Sequence, residues 1–271
     1  MSQTFSTIAQ NASEAAYPHL WQGLAGAWVP SLGVTGETLR DASGRKHHGT
    51  LTNMDPATDW QTSGSGWSLD FDGVNDYVLV NRSRVFDQLI GNKTVQAWVK
   101  TSSPGASFRT VISRDKTFSI TLLNSVFGIY DWVALAFRSS GVNVADGTWK
   151  HLAVSVRAGV ANGSQCFING VPRGSAFTYN VQVGNTTNDL TIGTAHNAVN
   201  NPVNEYVNGQ FDDIAIWSRA MTASEIQAIY NLGRGGMLRR RRRRVYSIPA
   251  GVIVYGQRLP RHRTILGGGL R

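Results

Sequence analysis

Residues 67 to 80 read WSLDFDGVNDYVLV, and apolar and polar side chains alternate along this stretch. The alternation puts the apolar residues on one face of an extended chain and the polar residues on the other: Trp67, Leu69 and Phe71 against Ser68, Asp70 and Asp72. The segment GVND then supplies turn-forming residues before a second apolar run, Tyr77 to Val80. The stretch predicts a hairpin of two antiparallel strands joined by a tight turn.

The same alternation recurs along most of the chain in short stretches bounded by Gly, Asn or Asp. These stretches are Thr94–Lys100, Arg109–Ser113, Phe118–Leu123, Phe127–Phe137, Trp149–Val156, Leu190–Gly193 and Phe211–Trp217. The dipeptide Asn169-Gly170, between QCFI and VPRG, favours a type I′ hairpin turn. Many short strands with tight turns predict an all-β protein in which two antiparallel sheets form a sandwich.

One helix is clearly signalled, and it follows the last predicted strand. Thr222 and Glu225 have the spacing of a capping box, and Gly233 is placed to end the helix. Between them, apolar residues recur at helical intervals: Ile226, Ile229, Tyr230 and Leu232. The pattern predicts a helix from Ala223 to Leu232.

The chain has 271 residues, of which 41% are hydrophobic and 16% charged, so it has enough apolar material for a core. Its net charge of +9 is unevenly distributed. Residues 234–271 hold 11 Arg and no acid, whereas residues 1–233 hold 15 basic and 17 acidic residues. We therefore predict an N-terminal arm (1–19), a globular domain (20–233) and a basic C-terminal arm (234–271).

Neither a membrane span nor a secretion signal is indicated. No apolar run approaches the roughly 18 residues of a spanning helix, and the first basic residue is Arg40. The single cysteine, Cys166, lies within an alternating strand pattern and cannot form an internal disulfide. We expect no membrane association and no redox chemistry.

Seven motifs, in order, resemble those of laminin-G-like, concanavalin A-like lectin/glucanase jelly-roll domains. They are DASGRKHHGTL (41–51), LDFDGVNDYV (69–78), VQAWVKT (95–101), GTWKHLAVSV (147–156), FINGVPRG (167–174), LTIG (190–193) and FDDIAIWSRAMTASEIQAIY (211–230). The resemblance covers about Leu20 to Leu232. It implies a two-sheet antiparallel jelly roll with a helix after the last strand, and it leaves the C-terminal arm without a counterpart.

Members of this fold include glycan-binding modules, adhesion domains, virion proteins and glycoside hydrolases, so the fold alone does not assign a function. Glycoside cleavage requires two opposed carboxyl groups. The chain has four glutamates and none lies in an alternating acidic strand. Asp70 and Asp72 share a strand face, which is also typical of a solvent-exposed face, and neighbours Asp212 and Asp213 should point to opposite faces. We predict no catalytic residues and no enzyme.

Calcium is the metal that the resemblance suggests, since jelly-roll domains often hold it structurally. The candidate ligands are Asp41, in DASG, and Asp213, in FDDI. Asp41 could equally cap backbone NH groups of its own loop. The histidines have no metal-ligand spacing, and no cofactor is required.

Glycan binding would use exposed aromatic rings as stacking platforms. If Phe127–Phe137 is one strand, Tyr130 and Trp132 lie on the face opposite Ile129, Val133, Leu135 and Phe137. We therefore name Tyr130 and Trp132 as candidate glycan-binding residues, with burial in the core or contact with another protein as alternatives.

The C-terminal arm combines a run of arginines with an apolar segment. The arginines are Arg239, Arg240, Arg241, Arg242, Arg243 and Arg244, and the apolar residues are Val252, Ile253, Val254 and Tyr255. Adjacent arginines suit a polyanion or an acidic protein surface, and an unpartnered apolar strand suits addition to a sheet edge. We predict that these residues anchor the chain to a partner; a nuclear localisation signal or nucleic-acid binding is the alternative for the arginines alone.

Together these features resemble jelly-roll proteins of tailed-phage virions, which are made in the host cytoplasm without a signal sequence. The hypothesis is a non-enzymatic bacteriophage protein, either a capsid decoration (cement) protein or a tail-associated protein. It would be located in the virion as a homo-oligomer, held to other virion proteins by its arms and able to bind cell-surface glycans. A free glycan-binding module is the alternative, and a glycoside hydrolase is the third.

Overall fold

The computed structural model describes residues 13–63, 66–102, 107–184, 187–196, 202–203 and 205–236. They all belong to the first of two compact units, residues 1–240. Two eight-stranded antiparallel sheets make up this unit, which confirms the predicted all-β sandwich. In the described part of the chain, every helix is too short or too polar to span a bilayer.

The described strands and helices follow in this order along the chain. The strands are β1 (Leu24–Trp28), β2 (Thr38–Leu39), β3 (Gly49–Thr52), β4 (Trp60–Ser63), β5 (Gly66–Asp72), β6 (Tyr77–Val80), β7 (Lys93–Lys100), β8 (Phe108–Arg114), β9 (Phe118–Leu123), β10 (Val126–Asp131), β11 (Ala136–Asn143), β12 (Lys150–Val156), β13 (Ser164–Ile168), β14 (Val171–Phe177), β15 (Leu190–Ile192) and β16 (Asn208–Trp217). The helices are α1 (Pro18–Trp21), α2 (Arg84–Asp87) and α3 (Ala223–Leu232), with a 3-10 turn at Pro30–Leu32.

The first sheet, sheet A, has the order β14-β13-β12-β7-β16-β5-β4, and β1 also pairs with β16. The second, sheet B, has the order β11-β10-β9-β8-β15-β6-β3-β2. Their facing surfaces enclose the main core, which includes the fully buried Val95, Ile112, Phe127 and Phe211. The apolar face of each alternating strand therefore lies between the sheets, as its period requires.

Helix α3 and the N-terminal segment cover the outer face of sheet A. Thr222 and Glu225 form the predicted capping box, and Ile226 and Ile229 are buried against a second core that includes Trp217. The segment before β1 joins the same core, since the Trp21 indole donates to the buried Ser13 hydroxyl at 2.9 Å. The outer face of sheet A is thus covered at β1, β12, β13 and β16, and sheet B carries the aromatic residues described below.

The Asn169-Gly170 turn has the predicted geometry. Their φ angles are 53° and 75°, both in the left-handed region that a type I′ turn requires. The turn connects β13 to β14 and lies under α3, where a side chain at Gly170 would come within 2.9 Å of Gln227.

Two strand predictions are wrong. Strands β5 and β6 do not form a hairpin, because β5 pairs with β4 and β16 in sheet A whereas β6 pairs with β3 and β15 in sheet B. The turn between them therefore crosses from one sheet to the other.

The second wrong prediction is Phe127–Phe137, which is a hairpin and not a single strand. Strand β10 ends at Asp131, residues 132–135 form a turn, and β11 begins at Ala136. The Asp131 carboxylate accepts hydrogen bonds from the backbone NH groups of Val133 (3.2 Å) and Ala134 (3.1 Å), which turns the chain. Apolar alternation continued through the turn and concealed it.

Candidate functional site

Four aromatic side chains gather on the outer face of sheet B, and we call Phe108, Tyr130, Trp132 and Phe137 the aromatic cluster. Phe127 and Ile129 of β10 point into the core, so the alternate residue Tyr130 points outward. The Tyr130 ring meets Trp132 edge to face at 4.9 Å and Phe108 at 5.7 Å, and Phe108 meets Phe137 at 5.9 Å. All four side chains are half-buried. The cluster therefore offers ring surface to solvent.

The hairpin places Phe137 on the same face as Tyr130, where the single-strand prediction put it on the opposite face. The two residues are directly paired across β10 and β11. Val133 and Leu135, which were also predicted on that opposite face, are 48% and 73% exposed in the turn. The sequence analysis therefore missed two members of the cluster, Phe108 and Phe137. The turn-forming residue Asp131 was the signal that would have predicted a hairpin and placed Phe137 beside Tyr130.

Gly128 makes the close approach of these rings possible. A Cβ at this position would lie 2.6 Å from the Phe137 ring and would collide with the Arg138 carbonyl oxygen. Any side chain there would displace the ring from the sheet surface. The small residue between Phe127 and Ile129 thus provides the space over which Phe137 lies.

A buried polar network supports the turn that carries Trp132. The Asp131 carboxylate accepts hydrogen bonds from Gln182 (3.0 Å) and from the Asn180 side chain (2.9 Å), and the Gln182 amide oxygen accepts from the Trp132 backbone NH (3.0 Å). Burial alone would raise the pKa of Asp131, but the hydrogen bonds from Gln182, Ala134 and Asn180 outweigh it and lower the pKa. The carboxylate stays ionised, and Trp132 is held on a fixed backbone.

The two candidate calcium ligands hold backbone segments. Both Asp41 carboxylate oxygens accept hydrogen bonds, from the NH groups of Ala27, Ser43 and His47 at 2.8–3.0 Å and from the Ser43 hydroxyl. Asp41 thus caps its own loop, which was the alternative stated for it. Asp213 accepts a hydrogen bond from the Gly235 NH. No group of three or more His, Cys, Asp or Glu side chains in the described ranges could hold a metal ion, and calcium at Asp41 and Asp213 stays a prediction.

Asp212 and Asp213 both contact the segment Arg234–Gly235, although strict alternation predicts that they point to opposite faces of the strand. A bulge in β16 lies at these two residues. The β16–β7 register shifts between Asp212 and Ala215, and Asp213 has a φ of 48°. The buried Asp212 lies 3.6 Å from the Arg234 guanidinium, which also lies 4.1 Å above the Trp149 ring. The first residue of the predicted C-terminal arm is therefore held on the domain.

The arm's candidate anchoring residues, Arg239–Arg244 and Val252–Tyr255, lie outside the described residues, so their anchoring role stays a prediction. Cys166 is buried, and burial raises the pKa of its thiol to about 12. A thiol with such a pKa is a poor nucleophile at neutral pH.

Asp70 and Asp72 lie on the outer face of β5, near Asp59 and Asp76. Burial and the Asp59 carboxylate raise the pKa of Asp70, while burial raises the pKa of Asp76 to about 6. Asp72 Oδ1 accepts hydrogen bonds from the NH groups of Val74 (2.7 Å) and Asn75 (3.2 Å), and so closes the β5–β6 turn. Asp72 thus has a structural role in the turn.

We expect the double variant D70N/D72N to keep the fold and to remove no hydrolytic activity. An Asn at 72 retains the side-chain oxygen that accepts from the turn, and an Asn at 70 removes repulsion with Asp59, so the free energy of unfolding should change by less than about 1 kcal/mol. Reducing-end release from a polysaccharide panel and thermal denaturation measure both effects. Turnover by the natural chain that disappears in the variant would identify a hydrolase.

Solved structures with a similar fold include binding domains and an enzyme. The binding domain of Paraclostridial Mosquitocidal Protein 1 matches with a TM-score of 0.57 and 14% identity, over 78% of this chain and 52% of that chain. A Trypanosoma rangeli sialidase in complex with sialic acid matches at 0.54 and 11%, over 77% and 32%. Domain 4 of AbnA, a GH43 extracellular arabinanase from Geobacillus stearothermophilus, in complex with arabinotriose, matches at 0.51 and 18%, over 76% and 98%.

At these identities the likeness shows the fold alone. The chain spans about half the length of the mosquitocidal binding domain and about a third of the sialidase. No curated protein sequence matches the chain. Residues 72–227, more than half of the chain, match the family described as the concanavalin A-like lectin/glucanases superfamily. The resemblance seen in the motifs is thereby confirmed, and the chain belongs to the concanavalin A-like lectin/glucanases superfamily.

Proposed function

We propose that the chain is a non-catalytic, carbohydrate-binding protein of a tailed-phage virion, either a capsid decoration protein or a tail-associated protein. The jelly roll binds glycans through the aromatic cluster, and the C-terminal arm attaches it to other virion proteins. The observation that carries the glycan-binding role is the group of four aromatic rings on sheet B of a lectin-like fold. Ring faces stack on the apolar faces of sugars, and half-buried rings do so on a rigid backbone.

The arm supports the virion part of the proposal. It concentrates 11 arginines without a neutralising acid and adds the apolar segment Val252–Tyr255, which a monomeric lectin domain does not need. Arginine forms bidentate contacts with carboxylate or phosphate, and an extended apolar segment can add to a sheet edge. An assembly with other virion proteins uses both features, whereas a free glycan-binding module uses neither.

The variant Y130A/W132A is expected to lose glycan binding by at least about tenfold, because each truncation removes a stacking surface and a tenfold change corresponds to about 1.4 kcal/mol. A glycan array with the full chain identifies a bound oligosaccharide, and titration calorimetry then measures both proteins. The matched control is Leu135→Ala, which removes a 73% exposed apolar side chain from the same hairpin without removing a ring.

Two outcomes would contradict the glycan-binding role. One is that no glycan on the array binds the natural chain. The other is that Y130A/W132A, shown to be folded by its thermal transition, binds the identified glycan as tightly as the natural chain and the Leu135→Ala control.

A further inference from the structure

Exposed apolar side chains gather on three loops at one end of the sandwich, and we call them the apolar tip: Val133, Leu135, Val160, Val181 and Val183. Their exposed fractions run from 48% for Val133 to 82% for Val183, and they are more than half of the large apolar side chains exposed in the described part of the chain. The β10–β11 turn, the loop between β12 and β13 and the segment after β14 supply them. An exposed apolar surface of this kind marks an interaction site.

Hydrogen bonds between the three loops hold the apolar tip together. The Trp132 backbone NH donates to the Gln182 side chain at 3.0 Å, which links the β10–β11 turn to the segment after β14. The Gly159 NH donates to the Tyr179 carbonyl oxygen at 2.8 Å, which links the loop after β12 to the same segment. The apolar side chains therefore form one surface on a fixed backbone.

Exposed cations stand beside this surface. The Lys116 carbonyl oxygen accepts from the Gly184 NH at 2.9 Å, so Lys116 lies next to the loop that carries Val183. Arg157 begins the loop that carries Val160. Lys116 and Arg157 are both exposed, and neither forms an ion pair within the described part of the chain.

The carboxylates at this end of the sandwich are already engaged. Asp87 pairs with Arg82 at 3.0 Å and with Arg114. Asp189 accepts from the Arg82 backbone NH at 2.7 Å, and Asp131 is buried in the network that supports the β10–β11 turn. Positive charge therefore predominates around an apolar centre.

We infer that the apolar tip inserts into the interfacial region of an anionic lipid bilayer, with Lys116 and Arg157 at the headgroups. Apolar side chains gain free energy when they leave water, and basic side chains are attracted to anionic lipids, which together hold a protein on a membrane surface. Self-association through this face is opposed, because a second copy would bring like charges together.

The inference goes beyond the proposed function and does not depend on it. The expectation of no membrane association rested on the lack of a spanning segment, and insertion at the surface of a bilayer needs none. The five apolar residues are scattered over about fifty positions of the sequence, so they form a patch only once the three loops meet.

The test measures how deeply two labelled positions enter a bilayer. Full-length chains with Val183→Cys or Val74→Cys are labelled with an environment-sensitive fluorophore, which does not react with the buried Cys166. Val74 is the matched control, since it is a 68% exposed valine in the turn after β5, at the opposite end of the sandwich. Vesicles contain equal parts of phosphatidylcholine and phosphatidylglycerol, with a quencher on the acyl chains. We expect severalfold stronger quenching of the label at position 183 than of the label at position 74.

Vesicle co-sedimentation across a salt series separates insertion from attraction by the arginine-rich arm. The double variant L135S/V183S keeps the charge of the natural chain but should bind at least about tenfold more weakly, since two large apolar side chains no longer enter the bilayer. The difference should persist at high salt, because apolar insertion is not screened. Val74→Ser should bind as the natural chain does.

Three results would overturn the inference: equal quenching at positions 183 and 74, no vesicle binding by the natural chain at any salt concentration, or undiminished binding by L135S/V183S with a normal thermal transition. Self-association of the natural chain without lipid, measured by sedimentation velocity and abolished in L135S/V183S, would assign this face to a contact between copies instead. L135S/V183S keeps all four rings of the aromatic cluster, so a glycan array with this variant tests the glycan-binding role separately.

Discussion

A chain truncated after Gly236 is expected to fold normally, to keep its glycan binding and to be absent from assembled virions. The truncation removes 10 of the 11 arginines of the arm and the apolar segment Val252–Tyr255, which are the two features proposed to contact other virion proteins. Copy number per particle, measured on particles assembled with the full-length or the truncated chain, tests the expectation. Because the anchor is lost completely, the effect should be near total.

The structure determines where this truncation must lie. Arg234 pairs with the buried Asp212 and covers Trp149, and the Gly235 NH donates to Asp213. A chain ending at Leu232 would leave Asp212 buried without its cation, which costs several kcal/mol, and a loss of attachment could then reflect unfolding. Ending at Gly236 keeps these contacts and removes only the proposed anchor.

The two components of the anchor should respond differently to salt. Replacing Arg239–Arg244 with Ser should weaken attachment mainly at low salt, because screening already weakens arginine contacts at high salt. Deleting Val252–Tyr255 should weaken attachment at every salt concentration, since strand pairing and apolar burial are not screened. Co-sedimentation with particles across a salt series measures both. If the chain ending at Gly236 occupied virions at full copy number, the anchor would be disproved and the free glycan-binding module would be favoured.

Lys93→Met is expected to raise the free energy of unfolding at pH 7 by about 1 to 4 kcal/mol. Lys93 is fully buried on the inner face of β7, where its Nζ lies 4.8 Å from the centre of the Tyr179 ring. Nζ has no hydrogen-bond partner among the described residues. Burial lowers the pKa of Lys93 to about 7 even though Asp131 opposes the shift. A methionine fills similar space without a charge and can contact the ring.

The pH dependence of stability separates this explanation from simple repacking. The unfolded chain keeps the Lys93 proton up to its ordinary pKa of 10.5, whereas the folded chain releases it near pH 7. The unfolded state therefore binds more protons above pH 7, so the stability of the natural chain should rise with pH, by up to about 1.4 kcal/mol per pH unit. Lys93→Met should lack this rise, and its advantage should shrink between about pH 7 and 8.5.

Urea denaturation at several pH values in this window measures the free energy of unfolding. The window lies below the pH at which ionisation of Cys166 in the unfolded chain begins to affect stability. Lys46→Met, at an exposed lysine, is the control and should change neither the stability nor its slope with pH. An advantage of Lys93→Met that stays constant with pH would show that Lys93 remains protonated in the folded chain throughout this window. A loss of stability would show that its contacts with Tyr179 and Asp131 exceed the cost of burial.

The elements that depend on neighbouring residues were predictable from the sequence. Strand β5, the type I′ turn at Asn169-Gly170 and the capped helix α3 each arise from residues a few positions apart, so their patterns are visible in one strand or one helical turn. The family resemblance rests on the same local motifs. The Asp131 turn was also local, but apolar alternation on both sides favoured a continuous strand.

Only the tertiary structure decided what depends on residues far apart in the chain. The aromatic cluster required the hairpin pairing that brings Phe137 beside Tyr130, and the order of the strands placed β5 and β6 in different sheets. Burial of Lys93 and the contact of Arg234 with Asp212 likewise follow from how the sheets and the chain end pack. Sequence periodicity determines which face of a strand a residue occupies, but the partner across that face is set by sheet order and register, which come from the packing of the whole domain.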